Sequence, residues 1–132
     1  MKRSDCFREL LGIEIVEVRE GYAKMLAKIE KQHLNFANST HGGMIFSLAD
    51  CAFAEACNSG DQKAVAVQVS INYLKPASEG ETLVAEASKV FEGKTFALYN
   101  VTVCNQRKLV AMFSGLAYKI PADTKTVETV SS

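Results

Sequence analysis

The chain has 132 residues, 15 basic and 15 acidic side chains, a formal net charge of zero and 48% hydrophobic residues. That is the size of one domain with its own core, and the charge balance argues against a partner held by electrostatics, whether nucleic acid or an acidic membrane surface. No apolar run approaches a bilayer span, and the amino terminus, MKRSDCFREL, is charged where a secretory signal needs an apolar stretch, so a cytoplasmic protein is expected.

Ser4 with Asp5 behind it marks a helix start, with Phe7, Leu10 and Leu11 on one face and Gly12 as the stop. Ile13 to Val18 is β-branched and largely alternating, and Glu20-Gly21 turns the chain into a second alternating run, Tyr22 to Glu30. In that run Ala23, Met25, Ala27 and Ile29 share one face, and Lys24 and Lys28 the other. Lys31 to Thr40 is polar and irregular, with His33 as an exposed loop residue. A long apolar helix follows His41-Gly42-Gly43 and ends at Asn58-Ser59-Gly60-Asp61. Four strands then read as 63–73, 81–91, 95–104 and 109–120, with Pro76 after the first and hairpin-length turns between the others. Residues 1–120 form a single domain, and 121–132, PADTKTVETVSS, read as a frayed tail. The expected architecture is α+β: an antiparallel β-sheet wrapped around one long central helix, with a short N-terminal helix.

The cysteines, Cys6, Cys51, Cys57 and Cys104, form no C-x-x-C pair, and the only histidines are His33 and His41. None of these has zinc-ligand spacing, so neither a metal nor another cofactor is expected. The cysteines read as reduced, buried small hydrophobes.

The chemistry concentrates in the central stretch, NFANSTHGGMIFSLADCAFAEACN, residues 35–58. The first amides of a helix lack intrahelical partners and carry partial positive charge, and glycine lets a ligand approach them. His41-Gly42-Gly43 therefore reads as a site for a formal or developing negative charge. Beyond it, Ile45, Leu48, Ala49, Ala52, Phe53 and Ala56 form one apolar stripe, and Phe46, Cys51, Ala54 and Cys57 extend it round the helix. Asp50 interrupts this apolar surface with no basic residue within a turn. Two readings stand: a carboxylate turned to solvent or a neighbouring strand, or one held for chemistry.

The element order, with Asn35, His41-Gly42-Gly43, Phe46, Leu48-Ala49-Asp50 and Asn58, resembles the hotdog-fold acyl-CoA thioesterases of the phenylacetate-degradation (PaaI) type, over roughly residues 5 to 120. The lipases that also carry an H-G-G run have a G-x-S-x-G partner motif, and this chain lacks it. The resemblance implies hydrolysis of a CoA thioester in a homodimer or homotetramer. By it, Gly42 matches the glycine whose amide polarises the thioester carbonyl, and Asp50 the carboxylate that attacks it or activates water. Asn35 and His41 match residues that shape the site. Some relatives place a serine or threonine on the strand after the helix; the position here is Ala66, with Gln68 and Ser70 nearby, which leaves a third catalytic partner open. The candidate catalytic residues are thus Asp50 and Gly42, and the candidate substrate-binding residues Asn35, His41, Gly43 and Gln68. Met44, Phe46, Phe53 and Tyr73 are candidates for lining the acyl pocket, and Lys63, Lys75, Lys89, Lys94, Arg107 and Lys108 could meet CoA phosphates or be solvated.

Gly42 and Asp50 are eight residues apart, ~12 Å along a helix axis. Groups acting on one carbonyl must each come within ~3–3.5 Å of reacting atoms. A second, antiparallel copy of the helix could bring its Asp50 to the first copy's Gly42, so dimerisation is expected as a condition of activity. Two other readings remain on the same fold. One is a non-catalytic acyl-CoA binding or sensor protein; the other is a dehydratase, whose differently placed catalytic histidine is not found here.

Overall fold

Residues 4–106 and 108–122 are described in the computed structural model. Among the described residues two α-helices and six strands run in the order α1 (Cys6–Leu10), β1 (Glu14–Arg19), β2 (Tyr22–Lys28), α2 (Gly42–Cys57), β3 (Ala64–Tyr73), β4 (Thr82–Glu92), β5 (Phe96–Asn105) and β6 (Lys108–Lys119), with a short 3-10 helix, Lys31–His33, between β2 and α2. Asp5, not Ser4, caps α1: its side chain accepts from the Arg8 amide. The strands form one antiparallel sheet in the order β1-β2-β4-β5-β6-β3, and α2 packs across it. This is the hotdog arrangement of a sheet on one long helix. Among the described residues no helix is long and apolar enough to cross a membrane. Residues 123–132, most of the expected tail, lie outside the description, as does Arg107.

Strand periodicity decides the core. Ala23, Met25 and Ala27 of β2, Leu83, Ala85 and Ala87 of β4, and Val101 and Val103 of β5 are fully buried on the helix side. Many of these are alanines, so α2 can sit close to the sheet. The fit is closest at Gly115, where a Cβ would come within 2.7 Å of the Phe53 ring. From α2, Leu48, Ala49, Ala52, Phe53 and Ala56 close the other side. Each large side chain buried here contributes about 1.5–3 kcal/mol of transfer free energy.

The topology differs from the sequence reading at one point. The strands after the helix do not form a simple run: β3 leaves α2 to pair with β6 at the far edge, and β4 returns beside β2. The connection over 74–81 therefore has to cross the fold, and it passes the start of α2. The Ala77 carbonyl accepts from the Thr40 amide at 2.9 Å and the Thr40 hydroxyl at 2.7 Å, and the Gly80 amide donates to Ile29. Hydrophobic periodicity carries no information on which edge a strand joins.

Candidate active site

The loop before α2 is tied down at both ends. Asn35 Oδ1 accepts from the Ala37 amide at 2.8 Å and the Ser39 amide at 3.1 Å, and Leu34 bridges Thr40. Asn38 takes a left-handed φ of 61°, which asparagine tolerates. His33 is 3% exposed, which corrects its reading as an exposed loop residue. Its Nδ1 accepts from the Glu30 amide and its Nε2 donates to the Leu11 carbonyl, both at 2.9 Å. The His33 carbonyl in turn accepts from the His41 amide at 2.8 Å. Through its ring and its carbonyl, His33 thus joins the ends of α1 and β2 to the residue that opens α2. A histidine whose two ring nitrogens are both used is a buried connector, and lone-residue spacing does not signal that role.

His41 is the N-cap of α2, with extended backbone, and its Nδ1 accepts from the Gly43 amide at 2.9 Å. Because Nδ1 is the acceptor, the neutral ring carries its proton on Nε2. The Met44 and Ile45 amides donate to the His41 carbonyl at 2.9 and 3.3 Å. The Gly42 amide alone in this turn has no acceptor among the described residues. Of the paired glycines, then, Gly43 has its donor occupied and Gly42 has its donor available. A third group reaches this turn from 31 residues away: the Tyr73 hydroxyl donates to the Gly42 carbonyl at 3.0 Å.

Two cavities flank the helix start. One, of about 310 Å³, is bounded by Thr40, Gly42, Ile45, Tyr73, Leu74, Lys75 and Pro76. The other, of about 340 Å³, lies between α1 and α2, walled by Phe7, Leu11, Leu34, His41, Gly43, Met44 and Ser47 among others. Of the four apolar side chains expected to line a pocket, Tyr73 borders the first and Met44 the second. Phe53 is a correction: it is 1% exposed and packed against Tyr99 and Phe113, in the core. Phe46 packs on Phe113. Lys75 is the candidate phosphate partner beside Gly42, whereas Lys89 is paired with Glu92.

Asp50 lies two turns further along α2, half-buried, with no hydrogen bond or ion pair among the described residues. Burial raises its pKa above the ordinary carboxylate value, and the nearby Asp5 carboxylate adds to the rise. It borders neither cavity at the helix start, as the ~12 Å axial separation requires. It belongs to a stripe with Gly43, Ser47 and Ala54 that is only partly buried. Gln68 sits on the edge strand β3, just past a bulge between Ala66 and Gln68. It is exposed, and its amide reaches only the Val69 carbonyl at 3.4 Å. Within one chain it shares no hydrogen bond with Gly42, His41 or Asp50. All four cysteines are free; Cys6 is exposed, against expectation, and burial pushes the Cys51 thiol up to about 12, which keeps it protonated and unreactive. Among the described residues no three His, Cys, Asp or Glu side chains converge as metal ligands would.

The family model of the thioesterase superfamily matches residues 37–111, the span that holds the helix start, Asp50 and the edge strand. The chain belongs to the thioesterase superfamily. It is 49% identical over 124 residues to a provisionally named esterase of Archaeoglobus fulgidus, covering 93% of this chain and 80% of that one. It is 41% identical over 121 residues to the acyl-coenzyme A thioesterase PaaI of Escherichia coli, covering 91% and 86% of the two chains. The solved structure of that PaaI superposes with a TM-score of 0.85 over 89% of this chain and 86% of its own. A Streptococcus mutans protein solved with acetyl-CoA bound superposes with a TM-score of 0.78 at 32% identity, covering 82% and 88%.

Proposed function

We propose that this protein hydrolyses an acyl-CoA thioester to the free acid and CoA, at a site shared between two copies of the chain. Membership of the thioesterase superfamily, with 41% identity to a relative named for this activity, supports the reaction class. The observation that carries the site is the unoccupied Gly42 amide at the start of a helix on which Asp50 has no hydrogen bond or ion pair among the described residues. Attack on a thioester carbonyl builds negative charge on its oxygen. An amide already aimed at that oxygen stabilises the charge, by about 3–4 kcal/mol per donor in comparable sites. Asp50 supplies the other half of the reaction. As a general base it takes a proton from water while the water attacks; as a nucleophile it forms an acyl anhydride that water then cleaves. In either route the carbon–sulfur bond breaks and the thiolate leaves, taking up a proton.

The two groups are too far apart along one helix to meet on one carbonyl, so the proposal pairs Gly42 of one copy with Asp50 of another. The partly exposed stripe of Gly43, Ser47 and Ala54 beside Asp50 has only small side chains, which allows a second helix to approach. Asn35 holds the loop, His41 caps the helix, and Gly43 and Gln68 complete the proposed substrate-binding set. The dimer could pair again into a homotetramer. CoA thioesters are intracellular metabolites, and a cytoplasmic location is part of this proposal.

A thiol-release assay over aromatic and straight-chain acyl-CoA esters tests the activity. Thiol release that disappears in Asp50→Asn is the expected result; tight binding with no release from any ester would make the protein a sensor instead. Mixing equal amounts of Gly42→Pro and Asp50→Asn protein tests the sharing, because each mixed dimer regains one intact site of two, and random subunit exchange makes about half of the dimers mixed, so the mixture recovers about a quarter of wild-type activity. No recovery in verified mixed dimers would rule the shared site out. Single turnover in ¹⁸O-water identifies an anhydride that water cleaves at the Asp50 carbonyl, since only then does label enter the Asp50 carboxylate, and trapping the acyl-enzyme with hydroxylamine covers cleavage at the acyl carbonyl.

A further inference from the structure

We propose that Tyr73 is a positioning residue for the Gly42 amide: its hydroxyl and the His41 imidazole hold opposite ends of the Gly42–Gly43 peptide. This rests on the reading of Gly42 as the oxyanion donor and adds a residue that acts through it.

Glycine has more backbone freedom than any other residue, so two in a row at a helix start leave the donor poorly aimed unless something restrains them. Both peptide planes next to Gly42 are restrained here, by different means. The plane before it is held through the His41 carbonyl by the Met44 and Ile45 amides. The plane after it is held at both ends by side chains. The Gly43 N–H donates to His41 Nδ1 at 2.9 Å, and the Gly42 carbonyl accepts from the Tyr73 hydroxyl at 3.0 Å. With both planes held, the direction of the Gly42 N–H is set before any ligand arrives. Preorganisation of this kind is what makes an oxyanion donor effective, because no reorientation is needed as charge develops.

The Tyr73 ring adds a steric restraint. A Cβ built on Gly42 would lie 3.4 Å from the ring carbon that bears the hydroxyl, so ring and backbone are in contact. The backbone that carries the ring is anchored, because Tyr73 pairs with Ala111 and the next two amides, Leu74 and Lys75, both donate to the Val110 carbonyl. The clamp thus ties the helix start to the edge strand.

The test is Tyr73→Phe, which keeps the ring and removes the hydroxyl, read beside Gly42→Pro. Proline suits the first position of a helix and removes an amide that has no helical partner, and its Cβ would stand 3.4 Å from the nearest Tyr73 ring atom. Tyr73→Phe should lower kcat about three- to tenfold, the scale of one neutral hydrogen bond, with KM within about twofold. It should also speed hydrogen exchange at the Gly43 amide. In the Gly42→Pro background the same change should have no further effect on the residual rate. A raised KM with unchanged kcat would make Tyr73 a cavity wall and overturn the clamp, as would an unchanged kcat beside an inactive Gly42→Pro. If Gly42→Pro itself turns over at the wild-type rate, the oxyanion reading fails instead, whatever Tyr73→Phe does.

Discussion

At its carboxyl end α2 is closed by side chains that meet the backbone groups there. Asn58 Nδ2 donates to the Ala54 and Ala64 carbonyls at 3.0 and 3.1 Å, and its Oδ1 accepts from the Ala64 amide at 2.9 Å. Ser59 donates to the Ala56 carbonyl and accepts from the Gly21 amide at 2.8 Å. At the amino end the clamps hold every group round Gly42 except its own N–H, which is left beside a cavity. Helix ends need partners for their unpaired groups, and a chain can supply them or leave a ligand to do so. Here one end takes the first course and the other the second. Changes at the amino end should therefore reach turnover and spare stability, and changes at the carboxyl end should do the reverse.

The largest expected effect belongs to Asp50→Asn: a loss of about 10²–10⁴ in kcat, the range for a positioned acid–base group. The same variant should melt no lower than the parent. Burial and Asp5 raise the folded-state pKa of Asp50, so the folded protein holds this proton to higher pH than the unfolded chain does. Stability from this group falls as pH rises from the ordinary carboxylate value through the raised one, and asparagine removes that penalty. A higher Tm for Asp50→Asn at pH 7, with the gap closing in acid, is the outcome to look for in calorimetry. A destabilised variant would mean that Asp50 holds the fold together.

Next in size is Gly115→Ala, whose Cβ would meet the Phe53 ring at 2.7 Å. Overpacking of this kind costs about 1–3 kcal/mol, and denaturant unfolding measures it. Asn58→Ala removes three hydrogen bonds to the backbone at the closed end and a fourth to Cys57 Sγ, and should cost a similar or smaller amount, about 1–3 kcal/mol, with kcat per folded molecule unchanged. A drop in kcat there without unfolding would break the contrast between the two ends. The smallest effect is Asp5→Asn, which keeps the cap on α1 and removes a negative charge near Asp50. The acid limb of kcat/KM, where activity rises as Asp50 ionises, should move to lower pH.

Much of this was legible in the residues. Alternation in Tyr22 to Glu30 identified the inward face of β2, and Ala23, Met25, Ala27 and Ile29 are all buried as that pattern requires. The helix and its start at His41-Gly42-Gly43 follow from local chemistry, because capping and the glycine pair act within one turn. The separation of Gly42 from Asp50 is also local, since helical rise is constant. The burial of His33 was not legible, because it depends on Leu11 and Glu30 reaching one ring from two directions. Nor was the place of Phe53, which the helix pattern alone leaves open between core and pocket.

Periodicity and capping thus determined the elements, their buried faces and the position of an acid and a free amide on one helix. They could do so because each depends on residues within a few positions of one another. Tertiary structure alone decided that β3 runs at the far edge of the sheet and that the 74–81 connection crosses the helix start. Tyr73 ends β3 just before that crossing, and its hydroxyl donates to the Gly42 carbonyl. The choice was made by sheet pairing and by the fit of α2 on an alanine-lined face, contacts between segments whose spacing in the chain carries no trace of them.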